Sequence, residues 1–182
     1  MARIGLCYYF RNGLFMVQPP ALKLIGYWAQ SEEPSLYPHP KRLARPDWRT
    51  GDRGRITAYL RAGACLVGYF GISLCRICGT SNGSFELTDG EWAWPEGLAH
   101  YVEAHAVCLP DEVVATMDAH GWQVPINPRP PGYVPVDESF WVGWSARQRA
   151  TDERRATSSH ASHPTPSTSP SSRRTISNAS SV

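Results

Sequence analysis

The chain has 182 residues, 42% of them hydrophobic and 19% charged, with a formal net charge of +2. That length holds one full domain. No run of about 18 apolar residues occurs, which excludes a membrane-spanning helix, and Arg11-Asn12 interrupts the first apolar stretch too early for a secretory leader. The charge is unevenly placed. Residues 41 to 61 carry seven basic and two acidic side chains, whereas residues 76 to 118 carry one basic and eight acidic. Five cysteines, an odd number, fit a reducing cytoplasm better than a secreted disulfide framework.

Residues 1–23 read as an N-terminal arm. Within it Cys7 to Phe10 and Leu14 to Val17 flank an Asn12-Gly13 turn signal, and Met16 offers an alternative start. Packed structure is expected from Leu24 to Trp28. Four prolines between residues 30 and 48 then predict an irregular loop, anchored by the rings of Trp28, Tyr37 and Trp48, with His39 exposed. Asp52 is placed to cap a helix over Arg53–Arg61, where Ile56, Tyr59 and Leu60 share a face and Gly63 suits a left-handed C-terminal position.

Ala64 to Phe70 reads as a strand leading to the first metal-spaced cysteine. Ser84 to Thr88 and Glu91 to Trp94 read as a hairpin joined by Asp89-Gly90. Pro95 suits the first position of a helix running through Leu98 to His105. Pro110-Asp111-Glu112 opens another helix, with acids at its positive end, that stops at Gly121 and leaves His120 near the negative end. Residues 125 to 135 are proline-rich again. Phe140, Trp141 and Trp144 are expected to fold back onto the body, and 146–182, dominated by Ser, Thr, Pro and Arg, reads as a disordered tail.

The chemistry concentrates in Cys75-Arg-Ile-Cys78 and His100-Tyr-Val-Glu-Ala-His105, with 21 residues between the pairs. Two thiols two residues apart let both sulfurs reach one ion, and two imidazoles supply the remaining corners of a tetrahedron. The metal ligands are therefore Cys75, Cys78, His100 and His105, and the cofactor is one structural Zn2+. Five helical positions rotate roughly 140° past a full turn. The helix is thus expected to distort near His105 for both rings to converge. Cys108 is a candidate replacement for His105, or a small buried thiol; Cys7 and Cys65 read as packing residues. Glu86, Asp89, Glu91 and Glu96 read as a solvated acidic face.

The order knuckle, hairpin, helix resembles a treble-clef zinc finger. The fold class is accordingly α+β: a small zinc-stabilised domain over 24–145, core 64–121, with irregular Pro-rich segments. The motifs Gly71-Ile-Ser-Leu-Cys75-Arg-Ile-Cys78-Gly79, Asn82-Gly-Ser-Phe-Glu-Leu-Thr-Asp-Gly90 and Trp94-Pro-Glu-Gly-Leu-Ala-His100-Tyr-Val-Glu-Ala-His105, then Leu109-Pro110, resemble a family of small uncharacterised bacterial proteins. With Gly26-Tyr27-Trp28 and Tyr59-Leu60 upstream, the resemblance covers about residues 24 to 120. It implies a bacterial cytoplasmic protein with a Cys2His2 site and no established activity; the arm and the tail depart from it.

Two functions compete. A zinc-stabilised module that binds another protein follows from the closed ligand set, the acidic zinc-bearing stretch and the aromatics Trp28, Trp48, Trp92 and Trp94. Its acidic face would meet a basic partner or the chain's own basic helix. Nucleic-acid binding would use Lys41, Arg42, Arg45, Arg49, Arg53, Arg55 and Arg61, aided by the Arg147 to Arg155 cluster. Against it, the stretch Pro95 through His105 holds Glu96 and Glu103 and no Lys or Arg. A zinc hydrolase or deaminase needs three protein ligands and an open fourth position, so four good ligands predict a non-enzyme.

Overall fold

The computed structural model describes residues 20–126, 128 and 134–161. Over these residues it is a mixed α+β structure: a five-stranded sheet in the order β2-β3-β4-β1-β5, with four α-helices and one short 3-10 helix. β1 (Leu22–Leu24) starts inside the segment expected to be an arm; most of that arm, with Cys7, lies outside the described residues. A 3-10 turn (Pro40–Leu43) interrupts the proline-rich loop. His39 is buried there rather than exposed, because its Nδ1 accepts the Lys41 amide at 3.4 Å and caps that turn.

α1 (Arg53–Arg61) has the predicted bounds and buries Ile56, Thr57, Tyr59 and Leu60 on one face. Two details differ. Asp52 makes no capping bond; its carboxylate pairs with Arg55 at 2.7 Å, so a salt bridge takes the group the cap would need. Gly63 is not left-handed, and the C-cap is Ala62 in a right-handed conformation. The glycine answers a steric need instead: a Cβ there would sit 2.7 Å from Cζ2 of Trp94 and 2.8 Å from Cβ of Leu87.

β2 (Ala64–Gly68), β3 (Phe85–Thr88) and β4 (Trp92–Pro95) form an antiparallel meander. Asp89-Gly90 does turn the chain, but Glu91 joins the loop instead of β4. The cause is Asp89, whose Oδ1 accepts the amides of Glu91 (3.0 Å) and Trp92 (2.8 Å). Pro95 closes β4 rather than opening a helix. β1 then runs parallel to β4 and to β5 (Val136–Asp137), so the sheet is mixed. β4 is therefore central, and Trp92, Ala93 and Trp94 are all buried where an alternating pattern would expose one.

α2 (Leu98–His105) and α3 (Asp111–Ala119) pack on or near α1, and α4 (Ser139–Ala161) packs on β1. Residues 146–161 lie in this helix, where the sequence reads as disordered; the remainder of the expected tail lies outside the described residues. Trp141 and Trp144 do fold back, at 0% and 7% exposure. Each fully buried tryptophan donates its indole N–H: Trp92 to Thr116 Oγ1, Trp94 to the Leu60 carbonyl and Trp141 to the Tyr27 carbonyl. An indole buried without a partner would cost about 1–3 kcal/mol. Trp28, Tyr37 and Trp48 pack against the core as anchors of the loop.

Candidate metal centre

Beyond Gly68 the β2 and β3 chains continue as a two-stranded ribbon. Tyr69 N–H donates to Ser84 O, Ser73 N–H donates to Gly83 O, Asn82 N–H donates to Ser73 O, and Leu74 bridges Ser81. At the ribbon's tip Cys75 N–H donates to Thr80 O and Gly79 N–H to Cys75 O, both at 2.9 Å. Gly79 takes φ +75°, a conformation that favours glycine, and this closes the knuckle. The Ile77 amide points at Cys75 Sγ from 3.4 Å, as expected for a loop built around thiolates.

The histidines come from α2, whose buried face is Leu98, Ala99, Tyr101 and Val102. His105 is the last helical residue. Ala106 follows at φ +52°, and the amides of Ala106 and Val107 both converge on the Tyr101 carbonyl. This wide, left-handed ending is the expected distortion, placed one residue past His105.

Cys75, Cys78, His100 and His105 are brought together as one cluster, with their ligand atoms all within 4.8 Å of one another. Cys75 Sγ lies 3.4 Å from His105 Nε2, Cys78 Sγ 3.3 Å from His100 Nε2, and the two Nε2 atoms 3.2 Å apart. Zn–S bonds of about 2.3 Å and Zn–N bonds of about 2.0–2.1 Å make a tetrahedron with S···N edges near ~3.6 Å and N···N edges near ~3.4 Å. The donor set fits such an ion with only small adjustments. Two thiolates and two imidazoles also match the preferences of zinc by type.

The surroundings favour metal-ready donors. The Thr80 hydroxyl, 3.1 Å from Cys78 Sγ, and the Thr80 backbone hold that thiol down at about 5, with His100 and His105 adding to the effect. Tyr101 stands behind the cluster. Its hydroxyl accepts the Arg76 amide at 2.7 Å, and burial pushes its own ionisation up to about 12. Its ring contacts Trp28, with centroids 5.1 Å apart. Sequence reasoning missed Thr80 and Tyr101; only their positions, two residues past Cys78 and one past His100, hinted at them.

Cys108 is not part of the cluster. It is buried at 6% exposure, and that burial pushes its thiol up, as befits a packing residue. Cys65 is exposed, contrary to expectation, because it lies on the outward side of the edge strand β2. The acidic set is not uniformly solvated either. Glu96 accepts the Ser84 amide, Glu86 accepts the Tyr27 hydroxyl, and Asp89 is 3% exposed. Asp89 Oδ2 accepts the Tyr59 hydroxyl at 2.9 Å, and His120 Nδ1 lies 2.6 Å from that same hydroxyl. His120, expected to answer the α3 dipole, thus belongs to a side-chain chain linking α3, α1 and the hairpin turn.

The basic segment is engaged within the molecule. Lys41 pairs with Glu32, Arg45 with Asp152, Arg49 with Asp111, Arg55 with Asp52 and Arg61 with Glu103. Arg42 donates to the Glu32 carbonyl, and Arg53 to the carbonyls of Pro46 and Trp48. Among the described residues, no helix is long and apolar enough to cross a membrane. Comparison with known proteins gives no match: no family model, no curated protein and no solved structure corresponds to the chain.

Proposed function

We propose that the chain is a non-enzymatic protein-interaction module whose treble-clef-like element is held by one structural zinc on Cys75, Cys78, His100 and His105. The observation that carries this reading is the closure of the cluster, four donor atoms of the right types within 4.8 Å. Filled on all sides by protein, such a site keeps no position for water or substrate, which is the requirement for hydrolytic zinc. A reducing, cytoplasmic setting suits its thiols.

Nucleic-acid binding is the weaker reading. The seven basic side chains that would serve it already face carboxylates, carbonyls or, for Arg55, the Trp122 ring at 3.8 Å. Phosphate contact would have to displace those partners. Random-sequence DNA titrated at low and high salt separates the two, since phosphate neutralisation gives a steep salt slope.

The direct test is metal content by mass spectrometry on the purified chain, on a Cys75→Ser, Cys78→Ser variant and on His105→Ala. One zinc per chain, lost from both variants together with ordered structure around the knuckle, is the expected result. Zinc retained by His105→Ala with the fold intact would mean a three-ligand site and revive the hydrolase reading.

A further inference from the structure

Among the described residues, six of the nine exposed large apolar side chains lie in one ribbon: Val67, Tyr69, Phe70, Ile72, Leu74 and Phe85. Phe70 is wholly exposed, at 114%. A monomer does not ordinarily present so contiguous an apolar strip without a use for it. The same ribbon continues β2, which among the described residues pairs only with β3 and forms one edge of the sheet. Residues 64 to 74 contain no charged side chain and no proline, the devices that normally blunt such an edge.

Behind the ribbon lies a cavity of about 390 Å³, and Tyr69, Ile72 and Phe85 form its rim. Tyr27, Trp28 and Tyr101 supply aromatic walls, and Glu86 and Glu96 supply carboxylates. Glu86 is fixed by the Tyr27 hydroxyl and Glu96 by the Ser84 amide. One guanidinium, Arg76, shares the wall, and its Nη1 donates to the Leu74 carbonyl at 2.9 Å. The lining is therefore net negative and aromatic, a combination that receives an organic cation through charge and through the ring faces.

We propose that the ribbon edge and this cavity together dock an extended segment of a partner protein, with apolar residues against Val67, Tyr69 and Ile72 and one Lys or Arg side chain in the cavity between Glu86 and Glu96. Added strands gain affinity from main-chain hydrogen bonds and specificity from side-chain pockets, and here the pocket selects positive charge. The inference builds on the protein-interaction reading and names the chemistry of the partner.

The test uses the zinc-loaded full chain and a capped peptide, Val-Thr-Val-Arg-Val-Thr-Val, followed by tryptophan fluorescence and calorimetry. Saturable binding is expected, at least ~10-fold tighter than for the same peptide with a central Glu. A Glu86→Gln, Glu96→Gln variant should lose that preference, and Glu96→Gln alone, which can still accept the Ser84 amide, should weaken it. Val67→Lys should weaken both peptides. Absence of binding, or equal binding of the Arg and Glu peptides, overturns the proposal. So does acetyl-arginine amide binding as tightly as the peptide, which would mean a small-cation pocket without the ribbon. Concentration-dependent dimerisation abolished by Val67→Lys would assign the edge to a second copy of the chain instead. Because zinc content and folding are verified on each sample, failure here leaves the structural-zinc reading standing, and failure of that reading appears as a folded chain without metal.

Discussion

The Arg76 amide, inside the cysteine knuckle, donates to the hydroxyl of Tyr101, on the helix that bears both histidines. This bond joins the two halves of the candidate metal site without using any of the four clustered side chains. Tyr101→Phe keeps the ring against Trp28 but leaves the amide without its acceptor. It should weaken the site by about 1–3 kcal/mol. Faster transfer of zinc to a competing chelator, with the far-UV circular dichroism unchanged, is the outcome to look for.

Cys108 and the cysteines of the cluster should behave oppositely. Cys108→Ser places a hydroxyl in a buried apolar position and should cost about 1–3 kcal/mol in a urea melt while keeping one zinc per chain. Cys75→Ser should lose the zinc. If Cys108→Ser also lost it, Cys108 would be a ligand and the cluster would need redrawing.

Tyr59 gives a pH dependence. Burial first, then the Asp89 carboxylate, pushes its ionisation well above the ordinary tyrosine range. An unfolded tyrosine ionises near pH ~10, so above that value the unfolded chain releases a proton that the folded chain retains. The stabilisation is complete below pH ~10 and drains away as the pH rises toward the folded value, by about 1.4 kcal/mol per unit. Urea midpoints between pH 9 and 11 should fall for the native chain. Tyr59→Phe should start less stable and show a shallower fall; parallel curves would exclude Tyr59 as the source.

Two backbone positions should respond in opposite directions. Gly63→Ala drives a methyl to within 2.7 Å of the Trp94 ring and should destabilise by about 1–3 kcal/mol. Ala106→Gly relieves a left-handed residue, φ +52°, and should be neutral or stabilising by up to about 1 kcal/mol. Thermal melts of the pair check both.

The clustering of Cys75, Cys78, His100 and His105 was legible because a shared ion would impose such spacing on the chain itself, and α1 was legible because Ile56, Tyr59 and Leu60 repeat with the helix. The sheet was not. β1 and β5 have three and two residues, too short for an alternation to register, and both pair in parallel with strands remote in sequence. Trp92-Ala-Trp94 hid its centrality for a related reason, since a strand covered on both faces loses the period-2 signal. α4 ran past residue 145 unforeseen because residues 146 to 161 contain no large apolar side chain to mark a buried face, and its attachment by Arg45 to Asp152 spans 107 positions. The Asp89–Tyr59–His120 chain left no trace at all, as its members come from three separate elements.

Trp28 meets Trp141 edge-on at 5.3 Å, and Trp92 meets Phe140 at 4.9 Å. The lid on both early tryptophans is thus made of residues added more than forty positions after the second of them. During synthesis at about 5–20 residues per second, the half that carries the Cys/His cluster is complete several seconds before α4 leaves the ribosome. For that interval the nascent chain holds a finished knuckle and an open aromatic floor. Closing that floor therefore waits on Phe140 and Trp141.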